Sequence, residues 1–164
     1  MGVLGKTYDS EVCSAARALE VVGERWSLLI VRKAMFGGAR RFGDFRSLGI
    51  ATNVLQSRLD GFVEVGVMDR VDEGGHPSYV LTEKGHSLQP ILVALTEWGD
   101  RWSAPLGPPV RYVHEACGGE VAMETRCVSC GAVDDLSQIR ADPGPGMPAE
   151  IAAKLLARRG LTAP

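Results

Sequence analysis

Four residues in the last third of the chain have the types and spacing of a metal site. His114 and Cys117 stand three apart, Cys127 and Cys130 stand three apart, and glycines follow each pair at Gly118, Gly119 and Gly131. Two ligands on one tight turn make the knuckle of a zinc ribbon, and the glycines let the backbone fold around the metal. Two such knuckles on a short β-hairpin would complete a tetrahedral Zn2+ site of one histidine and three cysteines, with no position left open for catalysis. A unit of about thirty residues cannot hold itself together by burial alone and needs a staple of this kind. Three other readings are compatible with the same residues. Cys127 and Cys130 could form a redox pair, although no thioredoxin-like βαβ pattern surrounds them. The site could have lost its metal, leaving His114 an ordinary surface side chain. Iron could replace zinc, because sulfur-rich tetrahedral sites accept both.

A second group of residues could bind a polyanion. The chain carries a net charge of -2, yet between Glu24 and Arg58 it holds Arg25, Arg32, Lys33, Arg40, Arg41, Arg46 and Arg58 against Glu24 and Asp44, seven minus two or +5. A positive segment in a mildly acidic chain can dock on phosphates through one face, although such a segment is also compatible with a plain solvated surface. Thr52, Asn53, Gln56, Ser57 and Arg58 then cluster near the start of one predicted helix, short polar side chains and one arginine that can reach phosphates and base edges. His76, in a turn further on, could touch a phosphate. Cys13 is a third candidate: a thiol at a helix start is activated by the helix N-terminus. Asp9 and Glu11 oppose that effect, and a free cysteine is also a small apolar residue suited to an interface.

The elements that must position these groups follow from the apolar spacing. Ser10 can cap a helix from Glu11 with Val12, Ala15, Ala16, Leu19 and Val22 on one face, ended by Gly23. Arg25 to Met35 predicts a second helix, and Phe42, Phe45 and Leu48 a short third one closed by Gly49. A fourth begins at Ala51 or Thr52 with Val54, Leu55, Leu59, Phe62 and Val63 buried, and Ile50 packs ahead of it as a staple. Val67–Asp72 and Ser78–Leu81 flank a turn-rich stretch and predict a hairpin. Thr82 caps a long helix with Leu88, Ile91, Leu92, Leu95, Trp98 and Trp102 on one stripe, which Pro90 should kink or split and Pro105 end. The first and the long fifth helix carry more apolar face than a core of this size needs, which predicts a homodimer through those two helices; ordinary packing within one chain is the alternative. Pro148 opens a short last helix with Ile151, Leu155 and Leu156 apolar, ending at Arg158-Arg159-Gly160, where arginines suit the helix dipole.

Residues 13 to 102, so ordered, resemble the HxlR-type winged helix-turn-helix regulators. The resemblance is carried by Cys13, Glu24-Arg25-Trp26 with Leu28-Leu29-Ile30, Arg41-Phe42-Gly43-Asp44-Phe45, Ile50 through Val54-Leu55 to Arg58-Leu59, Gly66-Val67 and Arg70, Pro77-Ser78-Tyr79-Val80-Leu81-Thr82 with Gly85, and Leu88 through Trp98. It implies a homodimer that represses or activates nearby genes, repression being the expected sense. It also implies a cysteine at position 13 that in some members senses electrophiles or oxidants. Ala51 stands where the family has serine, so Thr52 takes the capping role, and Gln56 stands where threonine is frequent, so the operator does not carry over by analogy.

The expected fold is therefore mainly α with a small β-hairpin wing, plus a small β-rich zinc-ribbon-like unit. The expected divisions are residues 1–104 for DNA binding and dimerisation, 105–141 for the cysteine segment and 142–164 for a linker and short helix. DNA-binding candidates are Arg40, Arg41, Arg46, Thr52, Asn53, Gln56, Ser57, Arg58 and His76. The expected partners are a double-stranded DNA operator, a second copy of the chain, and a small-molecule or oxidant signal. No enzyme motif occurs: there is no phosphate loop with Lys-Ser/Thr, no GxSxG and no HExxH. No secretory leader or membrane span is evident, so the expected location is cytoplasmic. The rival function is a zinc-ribbon adaptor that docks a protein without binding DNA, and a thiol oxidoreductase through Cys127 and Cys130 is a weaker third.

Overall fold

The computed structural model describes residues 12–158. They form two compact units, one of residues 18–123 and the other of residues 12–17 with 124–158. The helix α1 runs Ser14–Val22 and α2 Ser27–Gly37; the proposed cap Ser10 and start Glu11 lie outside the described residues. A glycine with positive φ stops α2, Gly38 at 64°, and another, Gly49 at 71°, closes the short helix that follows, Phe42–Leu48. That short helix is 3-10, not α. The helix has only seven residues, and the tighter winding turns Phe45 fully inward in that span.

The fourth predicted helix is α3, Thr52–Glu64, with Leu55, Leu59 and Phe62 buried. The wing is the antiparallel pair β1, Met68–Asp72, and β2, Pro77–Leu81, registered Met68 against Leu81 and Asp72 against Pro77. Arg41 adds a single bridge to Ser78, so the wing continues into the chain ahead of the 3-10 helix. The long helix is split as Pro90 requires: α4, Glu83–His86, stops, and α5, Gln89–Ser103, restarts with the proline in its first turn. One core binds these elements, with Ile30 and Val31 of α2, Phe45, Leu55 and Leu59 of α3, Met68, Tyr79 and Leu92 at its centre. Each such side chain contributes about 1.5–3 kcal/mol through burial.

The boundary expected after residue 104 falls instead between Met123 and Glu124. Tyr112 is the reason. Its ring lies 4.5 Å from Phe36 on α2, and its hydroxyl lies 3.3 Å from both the Arg32 Nε donor and Thr96 Oγ1 on α5. Further along, the Met123 N–H donates to Glu97 at 2.8 Å. The segment after Pro105 is thus fastened to the helical unit. The other unit is less β-rich than expected: β3, Arg126–Cys127, pairs with β4, Gly131–Ala132, followed by a 3-10 turn at Leu136–Gln138 and the helix α6, Ala149–Ala157. The predicted end of that last helix at Arg159-Gly160 lies outside the described residues. Among the described residues no helix is long and apolar enough to cross a membrane.

Thr82 joins the wing to α4. Its hydroxyl accepts from the Gly85 N–H at 3.1 Å and donates to the Gly66 carbonyl at 2.8 Å. Gly85 is buried there, and a Cβ on it would overlap the Val67 carbonyl oxygen and press on the Leu81 side chain. Gly85→Ala is therefore expected to cost about 1–3 kcal/mol through overpacking. Urea unfolding measures this, and a midpoint equal to the wild-type value would contradict the packing described.

Candidate nucleic-acid interface

The DNA-facing candidates sit on three neighbouring pieces of one unit: the segment around the 3-10 helix, the start of α3, and the wing. Arg40 and Arg41 enter the 3-10 helix, and their backbone N–H groups both donate to Asp44 Oδ2, at 2.9 and 2.8 Å. One carboxylate thus fixes two consecutive arginines while their side chains stay exposed. Those two N–H groups, with the nearby charges of Arg41 and Lys33, hold the Asp44 carboxyl below the usual carboxylate range. Arg46 is exposed, its guanidinium carbon 5.9 Å from the Phe42 ring centre.

Thr52 and Asn53 are exposed in the first turn of α3, and Ser57 one turn later. No side chain accepts a hydrogen bond at the N-cap, which is Ala51, so Thr52 does not take over the capping expected of it. The reason is positional: Thr52 is already the first residue of the helix.

Gln56 and Arg58 are placed differently from the rest. The Gln56 amide donates to Asp60 at 2.8 Å and to the Tyr79 hydroxyl at 3.3 Å, and Arg58 pairs with Glu24 at 3.7 Å. Both are half-buried. In the wing, Glu73 pairs with Arg40 at 3.1 Å and accepts from the Ser78 hydroxyl at 2.9 Å, while His76 is exposed at the turn, its carbonyl taking the Glu73 N–H. The structure therefore gathers Arg40, Arg41, Glu73 and His76 at the wing, and leaves Thr52, Asn53 and Ser57 as the open positions of α3. Sequence reasoning missed Asp44 and Tyr79 as the residues that position this face. Asp44 carried a signal, being the lone acid between Lys33 and Arg58.

The metal candidates form two pairs, each within its own unit. His114 Nδ1 lies 3.2 Å from Cys117 Sγ, on a turn closed by Gly118 N–H to the His114 carbonyl at 2.8 Å. The Cys127 thiol receives the backbone N–H groups of Ser129 and Cys130 and the Cys130 thiol, which lower its pKa from the ordinary thiol value. Backbone N–H groups aimed at sulfur suit a thiolate ligand at Cys127, whereas at the His114–Cys117 turn the N–H groups close on the His114 carbonyl. Among the described residues, no group of three or more His, Cys, Asp or Glu side chains is gathered closely enough to hold a metal ion. Cys13 is exposed, and its carbonyl accepts the Arg17 N–H at 3.1 Å in the first turn of α1.

Comparison with known proteins agrees with this geometry. Residues 21–106 match the family model described as HxlR-like helix-turn-helix. An uncharacterized HTH-type transcriptional regulator of Mycobacterium tuberculosis is 42% identical over 158 residues, covering 93% of this chain and 99% of the relative. The crystal structure of PA1607, a candidate transcription factor, superposes with a TM-score of 0.76 at 38% identity over 85% of this chain and 100% of that one. A second candidate transcription factor, from Pseudomonas aeruginosa, gives a TM-score of 0.60 at 37% identity over 87% and 99% of the respective chains.

Asp44 generates a measurable expectation. Its native pKa is depressed, so its carboxylate stabilises the fold fully above the unfolded-state value, and the contribution is lost as pH falls through the native value. Asp44→Ala should lower stability at pH 7 by about 0.5–1 kcal/mol, a cap-sized effect reduced by solvent exposure. Urea midpoints of the two proteins should converge as pH is brought below the ordinary carboxylate range. A gap that persists in acid would mean that Asp44 acts other than through its charge.

Proposed function

Because the chain belongs to the HxlR-like helix-turn-helix family and is a DNA-binding transcriptional regulator, we propose that it reads a specific double-stranded operator as a homodimer, with repression as the outcome. The observation that carries this is the joint presentation of the open first turn of α3 and the Arg40–Arg41 pair beside the wing. In this reading Thr52, Asn53 and Ser57 enter the major groove, with Gln56 joining once it leaves Asp60 and Tyr79. Arg40, Arg41, Arg46 and His76 grip phosphates, and Arg58 does so on release from Glu24. Phosphate contacts set register and base contacts set preference.

The second copy is assigned to the apolar stripe of α5. Ile91, Leu95, Trp98 and Trp102 recur at helical spacing and are 48, 49, 62 and 65% exposed, and Leu19 of α1 is 55% exposed. So large an apolar stripe, built of two tryptophans, favours a partner of the same kind. A two-fold dimer sets two recognition helices about 34 Å apart, one turn of DNA.

Footprinting on the DNA upstream of its own gene locates the operator, and anisotropy titrations against operator and scrambled duplex test the docking. Asn53→Ala should narrow the gap between the two duplexes by about 1–3 kcal/mol. Arg41→Ala should weaken both and reduce the salt slope by about 1. Trp98→Glu should convert a dimer to a monomer in sedimentation and weaken operator binding. Preference untouched by Asn53→Ala would refute the groove assignment.

The four metal candidates are proposed to hold one structural Zn2+ through His114, Cys117, Cys127 and Cys130, supported by the repeated spacing and the two preformed pairs. The metal would cross-link the cysteine segment, with no role in DNA contact. Elemental analysis of chelator-free protein should give one zinc per chain; none, with folding intact, would refute it. Cys13 is proposed as the thiol through which an oxidant lowers DNA affinity. Diamide should then weaken operator binding by the wild type and leave Cys13→Ser unaffected at constant zinc content. The proposed location is the cytoplasm.

A further inference from the structure

Beneath the segment pinned by Tyr112 lies a cavity of about 270 Å³ lined by Leu29, Arg32, Lys33, Phe36, Gly37, Leu48 and Val110. We propose that it binds a small organic carboxylate with an apolar body, and that its occupant adjusts the grip on DNA. The apolar wall is supplied by Leu29, Phe36, Leu48 and Val110. Phe36 is 41% exposed although its ring already packs, tilted by 43°, against Tyr112, so apolar surface remains open to a ligand. The polar end is supplied by two cations on adjacent positions of α2. Arg32 and Lys33 are both half-buried, and among the described residues the ion pairs within 4.0 Å involve neither of them. Lys33 reaches Asp44 only as a longer-range charge, and a partly desolvated cation with no carboxylate in contact favours an anionic partner.

Arg32 is also pre-set. Its Nε donates to the Tyr112 hydroxyl at 3.3 Å, which holds the plane of the guanidinium and leaves the two terminal nitrogens as a fork for a carboxylate. The cavity is close to the lower end of ligand-pocket volumes and suits a body of about ten non-hydrogen atoms. A ligand that is only an anion would leave the apolar wall unused, and a neutral one would leave both cations without a contact ion pair.

The same walls lead to the DNA-facing segment. The Lys33 carbonyl accepts the N–H groups of Gly38 and Ala39, the residues immediately before Arg40. Leu48 ends the 3-10 helix that carries Arg46. An occupant that pulls on Lys33 and pushes on Leu48 therefore acts on both ends of the stretch holding Arg40, Arg41 and Arg46. The effect on DNA rests on the DNA-binding reading above, whereas the site itself does not.

Calorimetric titration of the full chain with benzoate, phenylacetate and hexanoate tests the site, with benzyl alcohol and inorganic phosphate as the neutral and the body-less probes. At least one carboxylate should bind one per chain with a sub-millimolar Kd, and both controls at least tenfold more weakly. Lys33→Gln, which removes one charge, and Val110→Trp, which fills the cavity, should each weaken that carboxylate at least tenfold at an unchanged melting temperature. Arg32→Lys should retain part of the affinity. Binding by none of the carboxylates, equal binding of benzyl alcohol, or full affinity in Lys33→Gln would overturn the site. The tightest carboxylate, at saturation, should change operator affinity at least threefold in anisotropy. Ligand binding without that change would overturn the regulatory half alone. Failure to bind any duplex would instead overturn the DNA reading, and the calorimetric result would stand.

Discussion

Tyr79 is held from three directions at once, and the geometry of the candidate DNA interface follows from how it is held. Its ring is 2% exposed and sits in the core with Phe45, Leu55 and Leu59. Its backbone N–H donates to the Arg40 carbonyl at 2.6 Å, and its hydroxyl takes the Gln56 amide at 3.3 Å. One residue on a wing strand thereby ties the wing to the arginine segment through the main chain and to α3 through a side chain. A two-stranded hairpin by itself is marginal in water. Here it is stable because its middle residue is part of the hydrophobic core, so the wing, the arginines and α3 keep a fixed relation.

The helical unit was largely legible in the sequence because its signals are local. Leu55, Leu59 and Phe62 recur at helical spacing, Gly38 and Gly49 mark left-handed stops, and Pro90 divides the long helix where a missing N–H demands it. What was not legible depends on contacts between residues distant in the chain. Gln56 reads as a free polar side chain until Tyr79, 23 positions away, is seen beside it. Arg58 reads as a phosphate ligand until Glu24 is seen to take it. The stretch from residue 105 reads as the start of a separate segment, yet Tyr112 returns to bond with Arg32, 80 positions back. Periodicity reports which face of an element is buried, and carries no information on which polar group meets which across the fold.

The cysteine segment illustrates the opposite case, in which spacing says more than secondary structure. Its two strands are two residues each, too short to be stable by ladder hydrogen bonding. What order the turns have comes from backbone N–H groups closing on a carbonyl or a sulfur, as at Gly118 and at Ser129 and Cys130. The side chains nearby are mostly exposed, Val128 and Leu136 included. A segment with so little burial has turn chemistry as its main internal support, and turn chemistry is what a motif of glycines and thiols encodes.

The pairing of Arg40 with Glu73 and of Arg58 with Glu24 has a consequence for how the protein behaves among polyanions. If these arginines grip phosphates as proposed, each carries a carboxylate where the phosphate would go, and a nucleic acid would displace an acid already in place. Such an exchange would release fewer bound counterions than the number of arginines implies, so indiscriminate association with any negative polymer would gain correspondingly little. Only a duplex that also satisfies the groove-facing side chains recovers what the displaced carboxylates lose. In the proposed docking these carboxylates would act as competitive gatekeepers against unspecific association.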